Sequence, residues 1–193
     1  MSSAQLESVA SQVRSLTLAE GEAQAVKACC VAVWGIDLLP LLLGASYHPG
    51  GLEVTGRLAE LMGLTRGEVV LDVASGIGTT ALFLASMYHV RVVGVDMGVS
   101  QCGRAMRRAS SAGLSSRVSV VVGDAERLPV SDDSLDAVVC ECALCTFPDK
   151  PTAARELARV VRPGAGRCGG RVGREGTSGS RAPEPRRAHS VSG

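Results

Sequence analysis

Three acids and two glycines hold the most legible chemistry of this sequence. Asp72 lies inside the apolar run Val70-Leu71-Asp72-Val73, which is followed at once by Ala74-Ser75-Gly76-Ile77-Gly78. The run Val92-Val93-Gly94-Val95 ends on Asp96, and Val121-Val122-Gly123 leads to Asp124 and Ala125. Glycines after a strand let backbone come close to a ligand, and the helix start that follows, near Thr79, offers free N–H groups to negative charge. Asp96 stands 20 residues after Gly76, the spacing at which an acid accepts hydrogen bonds from ribose hydroxyls. Three successive strand ends delivering Gly, Asp and Asp to one crevice point to an adenosine-containing ligand. Gly76 to Ala81 also satisfies the dinucleotide pattern G-x-G-x-x-G/A, which keeps a nicotinamide cofactor open as an alternative. Against it, a buried acid four residues before the first glycine is no part of that pattern, and a long helical segment precedes it.

A second group of reactive residues is made of thiols. Cys140, Cys142 and Cys145 follow the fourth apolar run, and Cys29 and Cys30 lie upstream. Each reads either as a small hydrophobe filling a strand end or as a reactive group on the lip of the pocket. A zinc site wants four N/S ligands in paired spacing, which C-x-C-x-x-C alone does not supply, so no metal site is expected. Tyr47 and His48 sit in the turn Ser46-Tyr47-His48-Pro49-Gly50-Gly51, as turn residues or as a base closing a lid.

The elements that must position these groups follow from periodicity. Residues 5–43 have helical spacing, the Pro/Gly-rich stretch 46–51 is a turn, and 52–64 reads as an amphipathic helix. Beyond it, strands are predicted at 69–73, 91–95, 118–122 and 135–140, alternating with helices at 79–88, 100–112 and 151–161. Near-continuous apolar strands alternating with helices specify an α/β, doubly wound parallel sheet covered on both faces. The apolar run 31–44 is broken by Asp37 and Pro40 and is too short for a bilayer, so it reads as buried helix. From Arg162 onward there is no Leu, Ile, Met or aromatic residue, a composition that predicts a disordered tail.

The 193 residues suit one domain, with a net charge of +1 that gives no case for nucleic acid. Residues 162–193 hold seven of the 20 basic side chains and two of the 19 acidic ones, leaving a basic, solvated end. Seven cysteines and a polar N-terminus predict free thiols and a soluble, cytoplasmic chain without a membrane partner.

On these motifs the sequence resembles the class I S-adenosylmethionine-dependent methyltransferases, over residues 52–164. The resemblance implies a Rossmann-like core there, an N-terminal helical cap over 1–51 and a basic tail over 165–193. It further implies S-adenosylmethionine as cofactor and a small-molecule acceptor. Asp72 and the backbone of Ala74, Ser75, Gly76 and Gly78 would hold the methionine part. Asp96 would take the ribose, Met97 would lie beside the adenine, Asp124 and Ala125 would read its edge, and Cys140 would sit at the pocket lip. The stretch Cys140–Lys150 is similar to arsenite methyltransferases, with Cys142 in the arsenic-binding position and Cys30 and Cys145 as further thiol ligands. It is equally similar to quinone-ring C-methyltransferases, which take an organic acceptor. Class I sheets have seven strands, and the fifth should start just after Gly164. Its apparent loss predicts an incomplete, truncated fold, active or reduced to a cofactor-binding remnant, with strand 135–140 as an exposed edge open to a homodimer.

Overall fold

The computed structural model describes residues 20–34, 50–164 and 167–170. Two helices, α1 (Glu20–Trp34) and α2 (Gly51–Met62), precede β1 (Val69–Val73), α3 (Thr79–Met87), β2 (Arg91–Asp96), α4 (Val99–Ser111) and β3 (Val118–Val122). Then come β4 (Ala137–Cys140), α5 (Lys150–Val160) and β5 (Arg167–Gly170). All described strand pairs are parallel, in the order β3-β2-β1-β4-β5.

The most apolar strands take the middle of this sheet. Val70, Leu71, Val138 and Val139 are fully or almost fully buried, because helices cover both faces. The pleat sends alternate residues to opposite layers. Val70, Val92 and Val139 pack with Ala59 of α2, Leu84 of α3 and Ala109 of α4. Leu71, Val95 and Val138 pack with Leu128 and with Leu157 and Val160 of α5. Asp72 has the parity of Val70, so its carboxylate faces the α3 layer and accepts a hydrogen bond from the Ala81 backbone.

Local signals explain the helix ends. Gly78 precedes α3 in a left-handed conformation (φ 76°), and a Cβ there would meet Cβ of Ala105 at 3.0 Å. Asp149 caps α5 by accepting from Thr152 N at 2.9 Å, and Pro151 sits in the first turn, where its missing N–H costs nothing. Arg159 clamps the segment after Asp124 to α5, reaching Glu156, Asp132 and the carbonyls of Leu128 and Val130.

Three expectations change. The fourth strand starts at Ala137, and Leu135 makes only an isolated parallel bridge to Val161. That strand is not an edge: β5 pairs with it from Ala137↔Arg167 to Cys140↔Gly170, inside the stretch whose composition predicted disorder. A ladder needs only backbone N–H and C=O groups, so Arg-Cys-Gly-Gly pairs without a large apolar side chain, and β4 is covered on that side. The predicted buried run 31–44 is not buried where it is described, since Val33 is 44% and Trp34 38% exposed at the end of α1. The rest of that run, Tyr47, His48 and residues 171–193 lie outside the described residues.

Gly94 sits where sheet meets loop. A Cβ there would lie 2.7 Å from Ser75 Oγ, 3.0 Å from Ser75 Cβ and 3.2 Å from Val120 Cγ2. Gly94→Ala is therefore expected to destabilise the fold by about 1–3 kcal/mol through overpacking, read as a lower midpoint in urea; an unchanged midpoint would show that Ser75 moves aside freely.

Candidate functional site

The carboxyl ends of β1, β2 and β3 open on one cavity, which α1 and the segment after β4 close from above. Asp72, Ala74, Ser75, Gly76, Asp96, Met97, Asp124 and Ala125 all line it, as do Cys30 and Cys142. Three predicted residues are not brought there. Cys140 is buried in the α5-side core, Cys145 is exposed with its thiol 3.6 Å from the Cys142 carbonyl, and Gly78 acts one step back, at the entrance to α3.

Asp96 organises the rim. One carboxylate oxygen accepts from Gly76 N and the other from Gly98 N, both at 2.8 Å. A single side chain thus ties the β1–α3 turn to the start of α4. The turn itself depends on left-handed backbone at Ala74 (φ 57°) and Gly76 (φ 53°), and Cys142 (φ 56°) turns the chain in the same way after β4. A Cβ on Gly76 would meet no protein atom within 4 Å, so the space beside it is the cavity's own.

Several site residues escaped the sequence reading. Glu141 lines the cavity and is held by the hydroxyls of Thr80 at 2.8 Å and Thr55 at 3.0 Å. Its position one residue after the buried Cys140 was the available signal, since strand parity puts it on the Asp72 layer. Lys27 of α1 donates to Asp124 Oδ2 at 2.7 Å and also to Glu126. Cys30, Val31 and Trp34 follow it on the same helix face and line the cavity with it. Nothing in the sequence marks a partner 97 residues away.

The electrostatics are lopsided. Burial first, then the Glu141 and Asp96 carboxylates, push the Asp72 carboxyl well above its ordinary value of 3.8. Burial likewise raises Asp96, opposed by its two backbone donors. Burial alone would lower the Lys27 ammonium, but its bonds to Asp124 and Glu126 outweigh that and hold it high. Asp72 Oδ2 and Ser75 Oγ are buried without a hydrogen-bond partner. An orphaned carboxylate oxygen in an acid-rich wall fits a ligand bearing ammonium and sulfonium charges.

Residues 70–164 match a family described as a methyltransferase domain. This stretch is similar to the class I S-adenosylmethionine-dependent methyltransferases. The domain is 38% identical over 114 residues to methyltransferase GfsG of Streptomyces halstedii, covering 59% of this chain and 41% of that protein. Against phosphoethanolamine N-methyltransferase 1 of Arabidopsis thaliana it is 36% identical over 115 residues, 60% of this chain and 23% of that one. The chain thus spans less than half the length of these two relatives. Among solved structures, phosphoethanolamine N-methyltransferase 2 of Haemonchus contortus in complex with S-adenosylmethionine superposes with a TM-score of 0.60 at 26% identity, covering 65% of this chain and 30% of that one. The [4+2]-cyclase SpnF superposes at 0.59 and 32% identity, covering 63% and 44%. The same Haemonchus contortus enzyme has also been solved with phosphomonomethylethanolamine and S-adenosylhomocysteine, and that structure superposes with a TM-score of 0.61 at 25% identity. A neighbour named a cyclase shows that the fold does not fix the reaction, which must be argued from the site.

Asp72 yields a signed prediction. A carboxyl held above its unfolded pKa contributes stability that is complete below the ordinary value of 3.8 and lost as pH rises through the folded value. Asp72→Asn, which keeps an acceptor for Ala81, should remove that fall from the ligand-free protein while weakening S-adenosylhomocysteine binding at least about tenfold. Melting curves across pH with and without S-adenosylhomocysteine check both; parallel curves for the two proteins would refute the assignment.

Proposed function

We propose that this chain transfers methyl groups from S-adenosylmethionine to a small acceptor, and that the acceptor is a soft, thiophilic centre such as arsenite held by Cys30 and Cys142. The observation that carries this reading is that two thiols from distant segments, α1 and the turn after β4, line the same cavity as Asp72 and Gly76. Thiolates suit such a centre better than oxygen ligands do. Bound S-adenosylmethionine supplies a methyl group on a cationic sulfur.

The chain's own residues do the rest. Asp72, Ser75 and the Ala74–Gly78 backbone would hold the methionine end, with the orphaned Oδ2 available to its ammonium group. Asp96 would take the ribose hydroxyls on lone pairs that its two backbone donors leave free, and Met97, Asp124 and Ala125, which line the same cavity, would receive the adenine. Cys30 and Cys142 fix the acceptor, and α1 keeps water from it. A lone-pair nucleophile held this way needs little acid–base help, and positioning is worth up to about 7–11 kcal/mol in well-oriented cases.

A second reading rests on Glu141. Its carboxylate, fixed in the wall by Thr55 and Thr80, offers an acceptor to an N–H or O–H group, which suits an organic substrate. Relatives named for phosphoethanolamine methylation lend this reading support.

Labelled S-adenosylmethionine with arsenite and a small thiol decides between them. Methylarsenic formation that falls about a hundredfold or more in Cys142→Ser, with S-adenosylhomocysteine affinity kept, is the expected result for ligation by that thiol. Turnover unaffected by Cys142→Ser and Cys30→Ser would dismiss the thiol reading, and cofactor binding without methylarsenic would leave the organic acceptor or a cofactor-binding remnant.

A further inference from the structure

The adenine-side acid is engaged before any ligand arrives. Asp124 Oδ1 accepts from Glu126 N at 2.9 Å, while Oδ2 accepts from Lys27 Nζ at 2.7 Å. Lys27 reaches down from α1 and bridges Asp124 to Glu126, with only 12% of its side chain exposed and 13% of that of Glu126. The cavity faces of α1, at Lys27, Cys30, Val31 and Trp34, lie over the ledge on which the cofactor must rest.

How α1 is held matters for passage beneath it. Among the described residues, neither core cluster includes a residue of α1. Val26, Val33 and Trp34 are each more than a third exposed, so these apolar side chains of the described helix bury little area. Polar bonds tie it to the sheet layer among the described residues: the Lys27 bridge, and Gln101 Nε2 donating to the Val31 carbonyl at 3.5 Å, a long bond. An element seated by charge rather than by core opens at small cost, in the way functional lids do.

We infer that Lys27 is a latch: its bridge to Asp124 and Glu126 holds α1 across the cavity, and breaking that bridge sets how fast the adenosyl cofactor enters and leaves. When the bridge opens, Asp124 Oδ2 is freed for an incoming N–H donor, and the helix face carrying Cys30 and Trp34 lifts with Lys27. When it closes, the cavity is sealed from water on that side. Glu126 does not line the cavity, so it influences the ligand only through Lys27 and the loop it braces.

That separation makes the inference testable. Trp34 is the single tryptophan of the chain and lines the cavity, so its fluorescence reports S-adenosylhomocysteine release in a stopped-flow displacement experiment on the full chain. Lys27→Met and Glu126→Gln should each release the ligand about tenfold faster, and Lys27→Arg, which keeps the bridge, should stay within about twofold of the unaltered protein. Glu126→Gln retains an acceptor for Asp149 N and lies off α1, so it stands even where Lys27→Met loosens the helix outright. Acceleration in Lys27→Met alone would mean that Lys27 holds the ligand directly, and overturns the latch. Unchanged release in both does the same.

Discussion

The Asp96 carboxylate is the hinge pin of the molecule. Each oxygen receives a backbone N–H from a different helix entrance, Gly76 before α3 and Gly98 before α4. Without an acceptor between them, the left-handed β1–α3 turn and the extended turn at Gly98 would each bury an unpaired donor and drift apart. The β1–β2 register puts Asp96 one residue past the Val73↔Val95 pair, level with the glycine turn. Sheet pairing therefore fixes the carboxylate, and the carboxylate fixes the cradle.

Around that pin the site is built against its own stability. Asp72, Asp96 and Glu141 crowd one wall, and burial together with mutual repulsion raises the Asp72 carboxyl well above its ordinary value. An orphaned oxygen on Asp72 and an orphaned hydroxyl on Ser75 add to the cost. A cationic ligand relieves both at once, so the features that weaken the empty protein are those that select the cofactor. Lys27 gives the same cavity a resident cation beside Asp124 and Glu126.

The rest of the cavity wall is assembled from pieces with little in common. Cys30 comes from a helix outside the core, Cys142 from a strained turn after β4, and Glu141 from between a buried cysteine and that turn. The sheet supplies the ledge of Asp72, Gly76, Asp96 and Asp124, and a helix and a loop supply the rest of the cavity wall. A cyclase and an N-methyltransferase both superpose on this chain.

The cofactor ledge was legible because it is written in short range. Val69–Val73 and Val118–Val122 fall where the apolar runs put them, and the glycine turn, Asp96 and Asp124 follow from strand ends in a parallel sheet. Cys140 and Cys145 were misplaced for a local reason too: parity after β4 sends Cys140 into the core and the turn carries Cys145 out to solvent. Composition also failed at Arg167–Gly170, since pairing by backbone leaves no trace in side-chain character. Lys27 over Asp124, and Glu141 between Thr55 and Thr80, join residues 61 to 97 positions apart. Such pairs have no periodicity and no fixed spacing. The sequence by itself determined what the ledge grips, and only the folded chain decided what closes over it, because the first depends on local backbone and the second on distances that exist after packing.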